Sequence, residues 1–289
     1  MISEKTKIAI VYDFDRTLST SEMQNSFIRS LGMEPNVFWN EVSDFAKKNN
    51  MDHILAYMYL MKDKMVVSHK RFNVDDLKQL GSDIEFFKGV ETWFDSIAKV
   101  AEQYGVIVEH YIISSGLKEI IEGTSIAENF NRIYACEYYY DEYGNPSWVK
   151  NVVNYTTKTQ FLFRINKEAL EIWDDEKVNE FIYHDERPIP FENMIYIGDG
   201  QTDVPCMKIV KQYGGYSIAV YNDDEKKKSV QQMMYDGRIT HYCEADYSDD
   251  SELFNLMTQI IHKISVDDPL RMKTNEQFKE SSELFEKTE

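Results

Sequence analysis

The chain has 289 residues, with 50 acidic against 32 basic side chains for a formal net charge of -18, and is 43% hydrophobic and 13% aromatic. Such acidity argues against a general binder of the nucleic-acid backbone, and such apolar content excludes a disordered chain. The length suits one large domain or two smaller ones.

No apolar run approaches the ~18 residues of a membrane span. The start, Met1-Ile2-Ser3-Glu4-Lys5, lacks the basic-then-apolar progression of a secretory signal. Cys136, Cys206 and Cys243 are widely spaced with no CxxC pair, which fits a reducing compartment. The expectation is a cytoplasmic protein without nucleic-acid or membrane partners.

Residues 7–13 read as a buried parallel strand ending in carboxylates. From 20 to 104 the character is helical, with Phe27, Leu31, Phe38, Val42, Phe45, Ile54, Tyr57 and Met58 at roughly helical spacing and Gly32, Pro35 and Gly81 as punctuation. Strand character returns at 106–113, ends in Ser114-Ser115-Gly116, and leads into a short helix over 117–124. Residues 132–155 read as a hairpin-like excursion about Asp141–Pro146. Thr156-Thr157 precede Lys158 and a helix carrying Phe161, Leu162 and Ile165. A strand over 194–197 ends at Gly198-Asp199-Gly200. Strands follow at 217–220 and 239–242, with helix around Gln231 between them and a closing helix over 252–264.

This alternation predicts an α/β fold, a Rossmann-like doubly wound parallel sheet with a helical cap domain inserted after the first strand. The core domain is placed at 1–18 and 105–264, the cap domain at 19–104, with hinges within 16–24 and 100–106. Residues 265–289 are expected to be a polar, frayed tail. In such a sheet the functional edge lies at the carboxyl ends of the strands.

The chemistry concentrates at those ends. Asp13-Phe14-Asp15-Arg16-Thr17 follows the first strand, and Gly198-Asp199-Gly200-Gln201-Thr202-Asp203 follows a later one. Carboxylates gathered at one edge repel one another, so a hard divalent cation is the natural counterion. Taken singly each feature is ordinary: a DxD is usually a solvated loop, Ser114 a helix cap and Lys158 a surface cation. Taken together, DxDxT, Ser, Lys and GDGxTD in this order resemble the haloacid dehalogenase (HAD) superfamily of phosphohydrolases, in its phosphoserine-phosphatase-like branch. Arg16 departs from the small residue usual at its position.

The resemblance implies a Mg²⁺-dependent phosphatase for a small-molecule phosphate monoester, working through an aspartyl-phosphate. Asp13 would be the nucleophile, Asp15 the general acid and base, and Lys158 the cation that offsets nucleophile and phosphate. Mg²⁺ would be held by Asp13, the backbone carbonyl of Asp15, Asp199 and Asp203. Ser114, with Ser115, Gly116 and Thr17, would bind the phosphoryl oxygens. Glu22 stands nine positions after Asp13, where phosphoserine phosphatases meet the substrate amine; it is equally a good acidic helix start. The arginine-bearing cap motif of that branch is missing, with Arg29 and Arg71 as candidates. A phosphomutase using the same site, and a non-catalytic phospho-ligand-binding protein, stay open. Residues 16–105, with 11 basic against 13 acidic side chains, are nearly neutral, so the expected cap is the large segment least repulsive to an anionic substrate.

Overall fold

The computed structural model describes residues 5–67 and 73–286. Its sheet has seven strands in the order β4-β3-β2-β1-β5-β6-β7: β1 (Lys7–Tyr12), β2 (Ile107–Leu117), β3 (Arg132–Tyr140), β4 (Pro146–Asn151), β5 (Met194–Gly198), β6 (Tyr216–Tyr221) and β7 (His241–Glu244). All neighbours are parallel except β3 and β4, the expected hairpin. The chain moves outward from β1 through β2, then returns to β1's other side as β5. The order thus reverses at β1, the switch point at which open α/β sheets form their clefts.

Helices α1 (Gln24–Ser30), α2 (Pro35–Asn49), α3 (His53–Val67), α4 (Val74–Gln79) and α5 (Val90–Tyr104) lie between β1 and β2. Then come α6 (Lys118–Glu122), α7 (Lys158–Asn166), α8 (Asp175–Asn179), α9 (Val204–Gln212), α10 (Asp224–Tyr235) and α11 (Glu252–Glu286). The strand residues Ile8 to Tyr12 and Met194 to Ile197 are buried, as continuous apolar runs in a two-sided parallel sheet must be.

The helical insertion ends earlier than expected. Trp93, Phe94, Ile97 and Val100 recur at helical spacing and are buried, and α5 packs on β2 and α11. Trp93 Nε1 donates to the Tyr12 hydroxyl at 2.8 Å, so α5 belongs to the sheet layer. The chain crosses back instead at a short pairing in which Thr20 N–H donates to Glu85 O at 2.8 Å and Phe87 N–H to Leu18 O at 2.9 Å. That places the return crossing near 85–87 rather than 100–106.

The chain's end also differs from expectation. α11 runs from Glu252 to Glu286 with Pro269 inside it. Its polar residues find partners: Arg271 pairs with Asp268 and lies 3.5 Å from Glu192, and Lys279 lies 3.0 Å from Glu186. Charges that read as solvation in the sequence are here ion pairs to the 185–192 segment. Among the described residues no helix is long and apolar enough to cross a membrane.

Candidate active site

Asp13 directly follows β1, and its N–H donates to Ile197 O on β5 at 2.9 Å. The carboxylate is therefore held at the switch point. Lys158, the first residue of α7, extends to it: Nζ lies 3.0 Å from Asp13 Oδ1 and 2.7 Å from Asp203 Oδ1. All three residues are buried. The Tyr196 hydroxyl also donates to Asp203 Oδ1, at 2.7 Å. Burial would lower the Lys158 pKa, but the carboxylates of Asp13 and Asp203 outweigh it and hold the ammonium charged. Burial raises Asp13 well above the ordinary carboxylate range, and Asp203 and Asp199 push it further.

Asp199 joins the group. Oxygens of Asp13, Asp199 and Asp203 all lie within 4.8 Å of one another. Asp203 Oδ2 is buried with no hydrogen-bond partner, an expensive state for a carboxylate oxygen. Clustered hard oxygens, one of them orphaned, fit a divalent cation of the Mg²⁺ type. Gly198 makes this possible, because a Cβ there would lie 2.6 Å from Asp203 Oδ2. The glycine lets Asp203 fold back over the strand end.

Asp15 faces a different surrounding. Its Oδ1 accepts the Met23 N–H at 2.8 Å, and a Cβ built on Gly116 would lie 3.3 Å from its Oδ2 and 2.2 Å from Met23 Cε. Asp15, Met23 and the irregular Ser114–Gly116 end of β2 thus meet. Burial pushes the Asp15 carboxyl up to about 7, with Glu22 and Asp199 adding to the rise and the Met23 N–H opposing it. Ser114 is buried and accepts the Gly116 N–H at 3.0 Å. Thr17 is buried with its Oγ1 unpartnered.

Of the residues singled out in the sequence, Asp13, Lys158, Asp199 and Asp203 converge, and Asp15 and Gly116 stand together. Glu22 is already engaged: Arg16 Nη2 lies 2.6 Å from its Oε1, and Asn25 Nδ2 donates to Oε2 at 3.4 Å. Arg16 adopts a left-handed backbone, φ 57°, a conformation that glycine takes at no steric cost. Arg29 is exposed in the last turn of α1, and Arg71 lies outside the described residues.

Sequence reasoning missed Lys226, whose Nζ lies 2.6 Å from Asp199 Oδ2. The available signal was a cation in the first turn of a helix capped by Asp223, where the macrodipole disfavours it. It missed Tyr196 as well, because a tyrosine in a buried strand reads as core.

A strand-edge constellation of this kind on a doubly wound sheet defines a hydrolase class. The family model for haloacid dehalogenase-like hydrolase matches residues 10–208, and the chain belongs to that family. An uncharacterized protein of Borreliella burgdorferi is 30% identical over 282 residues, spanning 88% of this chain and 96% of its own length. Among solved structures, a HAD family hydrolase from Salmonella enterica serovar Typhi matches at TM-score 0.57 and 16% identity, over 89% of this chain and 72% of that one. A probable phosphoserine phosphatase from Vibrio cholerae matches at TM-score 0.56 and 13% identity, over 92% and 67%. Cytosolic 5'-nucleotidase IIIB bound to cytidine matches at TM-score 0.51 and 14% identity, over 89% and 86%. At these identities the structural likeness is one of fold.

Proposed function

We propose that the protein is a Mg²⁺-dependent phosphatase of a small phosphate monoester. The observation that carries this reading is the buried Asp13–Lys158–Asp203 ion triad, with the raised carboxyl of Asp15 two residues beyond the nucleophile. An Asp13 oxygen attacks phosphorus in line, the bond from phosphorus to the leaving oxygen breaks, and Asp15 protonates that oxygen. Asp15 then takes a proton from water as the water oxygen attacks the aspartyl-phosphate, releasing phosphate and restoring Asp13. A carboxyl titrating at about 7 can both give and accept that proton near neutrality.

Lys158 offsets the charge of nucleophile and phosphoryl group, and Ser114, with Ser115, Gly116 and Thr17, holds the phosphoryl oxygens. Asp13, Asp199, Asp203 and the backbone carbonyl of Asp15 would hold Mg²⁺, which supplies charge neutralisation at the transferred group. Helices α1 to α4 serve as the cap that limits access of water and substrate.

Phosphoserine is the less favoured specific substrate, because Arg16 already pairs with Glu22 and an incoming amine would have to displace it. The test is hydrolysis of para-nitrophenyl phosphate with Mg²⁺, followed by a panel of metabolite phosphates. Wild type should turn over, and Asp13→Asn should not. Activity that survives that substitution, or that ignores EDTA, overturns the reading.

A further inference from the structure

The hydroxyl of Tyr57, on α3 of the helical insertion, donates a 2.7 Å hydrogen bond to the carbonyl of Ser115. That carbonyl and the Gly116 N–H belong to one planar peptide, so fixing the oxygen fixes the direction of the N–H. The N–H in turn donates to Ser114 Oγ at 3.0 Å. A serine oxygen that accepts from one side keeps its own hydrogen to donate on another. Tyr57 and Ser114 are both buried, at 1% exposure each, while Ser115 between them is half-buried.

The same helix is tied down at two further points. Tyr138 on β3 donates through its hydroxyl to Met58 O at 2.6 Å. Asp52 accepts the Ile54 and Leu55 N–H groups at the start of α3, and its other oxygen accepts Asn154 Nδ2 at 3.1 Å. Asn154 Oδ1 accepts the N–H groups of Thr156 and Thr157 at 3.1 and 2.9 Å, forming the turn that delivers Lys158. One inserted helix therefore touches both the Ser114–Gly116 end of β2 and the approach to Lys158.

We propose that Tyr57 is a positioning residue that aims the Ser114 hydroxyl at the phosphoryl group through the Ser115–Gly116 peptide. The proposal rests on the reading of Ser114 as a phosphoryl ligand. Without the tyrosine oxygen the Ser115 carbonyl loses its donor, the peptide is free to tilt, and the Gly116 N–H leaves Ser114 Oγ. Seating of α3 and alignment of the phosphoryl site become one event.

A double-mutant cycle tests this, with Tyr57→Phe and Ser114→Ala alone and combined. Para-nitrophenyl phosphate turnover is followed, and inorganic phosphate binding to the Mg²⁺-loaded full chain is measured calorimetrically. Tyr57→Phe removes one oxygen and keeps the ring, so its thermal midpoint should stay within a few degrees of wild type. It should lower kcat/KM and phosphate affinity about tenfold. In the Ser114→Ala background the same substitution should change either quantity less than twofold. Equal losses in both backgrounds, or no loss in either, overturn the proposal. If wild type is inactive, the phosphatase reading fails, while the phosphate-binding cycle still decides the coupling.

Discussion

Lys158 and Asp203 stand 45 positions apart in the chain, yet the Lys158 ammonium lies 2.7 Å from Asp203 Oδ1 with both side chains buried. The same ammonium reaches Asp13, so one cation serves two carboxylates, that of Asp203 fully enclosed and that of Asp13 open to solvent by only 8%. Removing one partner of a buried pair costs about 3–5 kcal/mol, because the remaining charge stays unpaired. Lys158→Met should therefore lower the thermal midpoint in EDTA by about 5–8 °C, at ~1.6 °C per kcal/mol for a chain of this size, and abolish turnover. Excess Mg²⁺ should recover more of that midpoint in the variant than in wild type, since the cation replaces the lost charge. A variant that melts with wild type in EDTA contradicts this account of the triad.

Metal binding should be visible without catalysis. A cation that binds only the folded chain stabilises it by about 2.7 kcal/mol at 100 times its Kd, or roughly 4–5 °C here. Differential scanning fluorimetry against Mg²⁺ should show that rise for wild type. Asp199→Asn should shrink it, because one of the three clustered carboxylates becomes a neutral amide. Asp203→Asn should shrink it too, while removing the orphaned anionic oxygen. A rise of the same size in both variants would place the cation elsewhere.

The core was legible because its signals are local. Apolar runs ending in Asp13 and Gly198 announce buried strands with functional ends, and Asp141–Pro146 announces a hairpin. What stayed hidden depends on strand order. Lys226 reaches Asp199 because β6 lies beside β5, and Tyr196 is polar at one end only, toward Asp203. The place of α5 was hidden for a related reason. Its apolar stripe looks the same whether it faces other inserted helices or β2, and the Trp93–Tyr12 hydrogen bond is a contact across 81 positions. The C-terminal segment was misjudged because composition shows charges without showing that Arg271 and Lys279 have partners.

Arg16 sets two small effects against each other. Its left-handed backbone costs a non-glycine residue about 1–2 kcal/mol, while its half-exposed ion pair with Glu22 contributes about 0–1 kcal/mol. Arg16→Gly should thus leave stability unchanged or slightly raised in urea titrations. It should also free Glu22. If Glu22 can receive an amine, the KM for phosphoserine should fall severalfold in Arg16→Gly, with para-nitrophenyl phosphate little affected, and Glu22→Ala should abolish that gain. No change in the phosphoserine KM would remove Glu22 from substrate recognition.

His110 supplies a pH dependence remote from the carboxylate cluster. It is buried on β2, and burial lowers its pKa to about 4, against ~6.5 in an unfolded chain. Trp93 Nε1 donates to the Tyr12 hydroxyl, and that hydroxyl shares a 3.0 Å hydrogen bond with His110 Nδ1 whose direction follows the ring's tautomer. Burial favours the neutral ring. Phe94 packs edge-on at 5.1 Å and Tyr12 stacks at 5.9 Å, so a charged imidazolium would have an aromatic enclosure and little water. Because the folded pKa is the lower one, the unfolded chain takes up the proton first. The contribution is fully present above pH ~6.5 and is lost as pH falls toward ~4. Between about pH 6.5 and 4.5 the loss from this one residue comes to about 2 kcal/mol. His110→Phe leaves the Tyr12 hydroxyl without its ring partner, a penalty that does not vary with pH in this range. Urea denaturation across that interval should therefore show wild type losing about 2 kcal/mol more than His110→Phe. Parallel pH profiles for the two proteins would show that His110 does not titrate on unfolding.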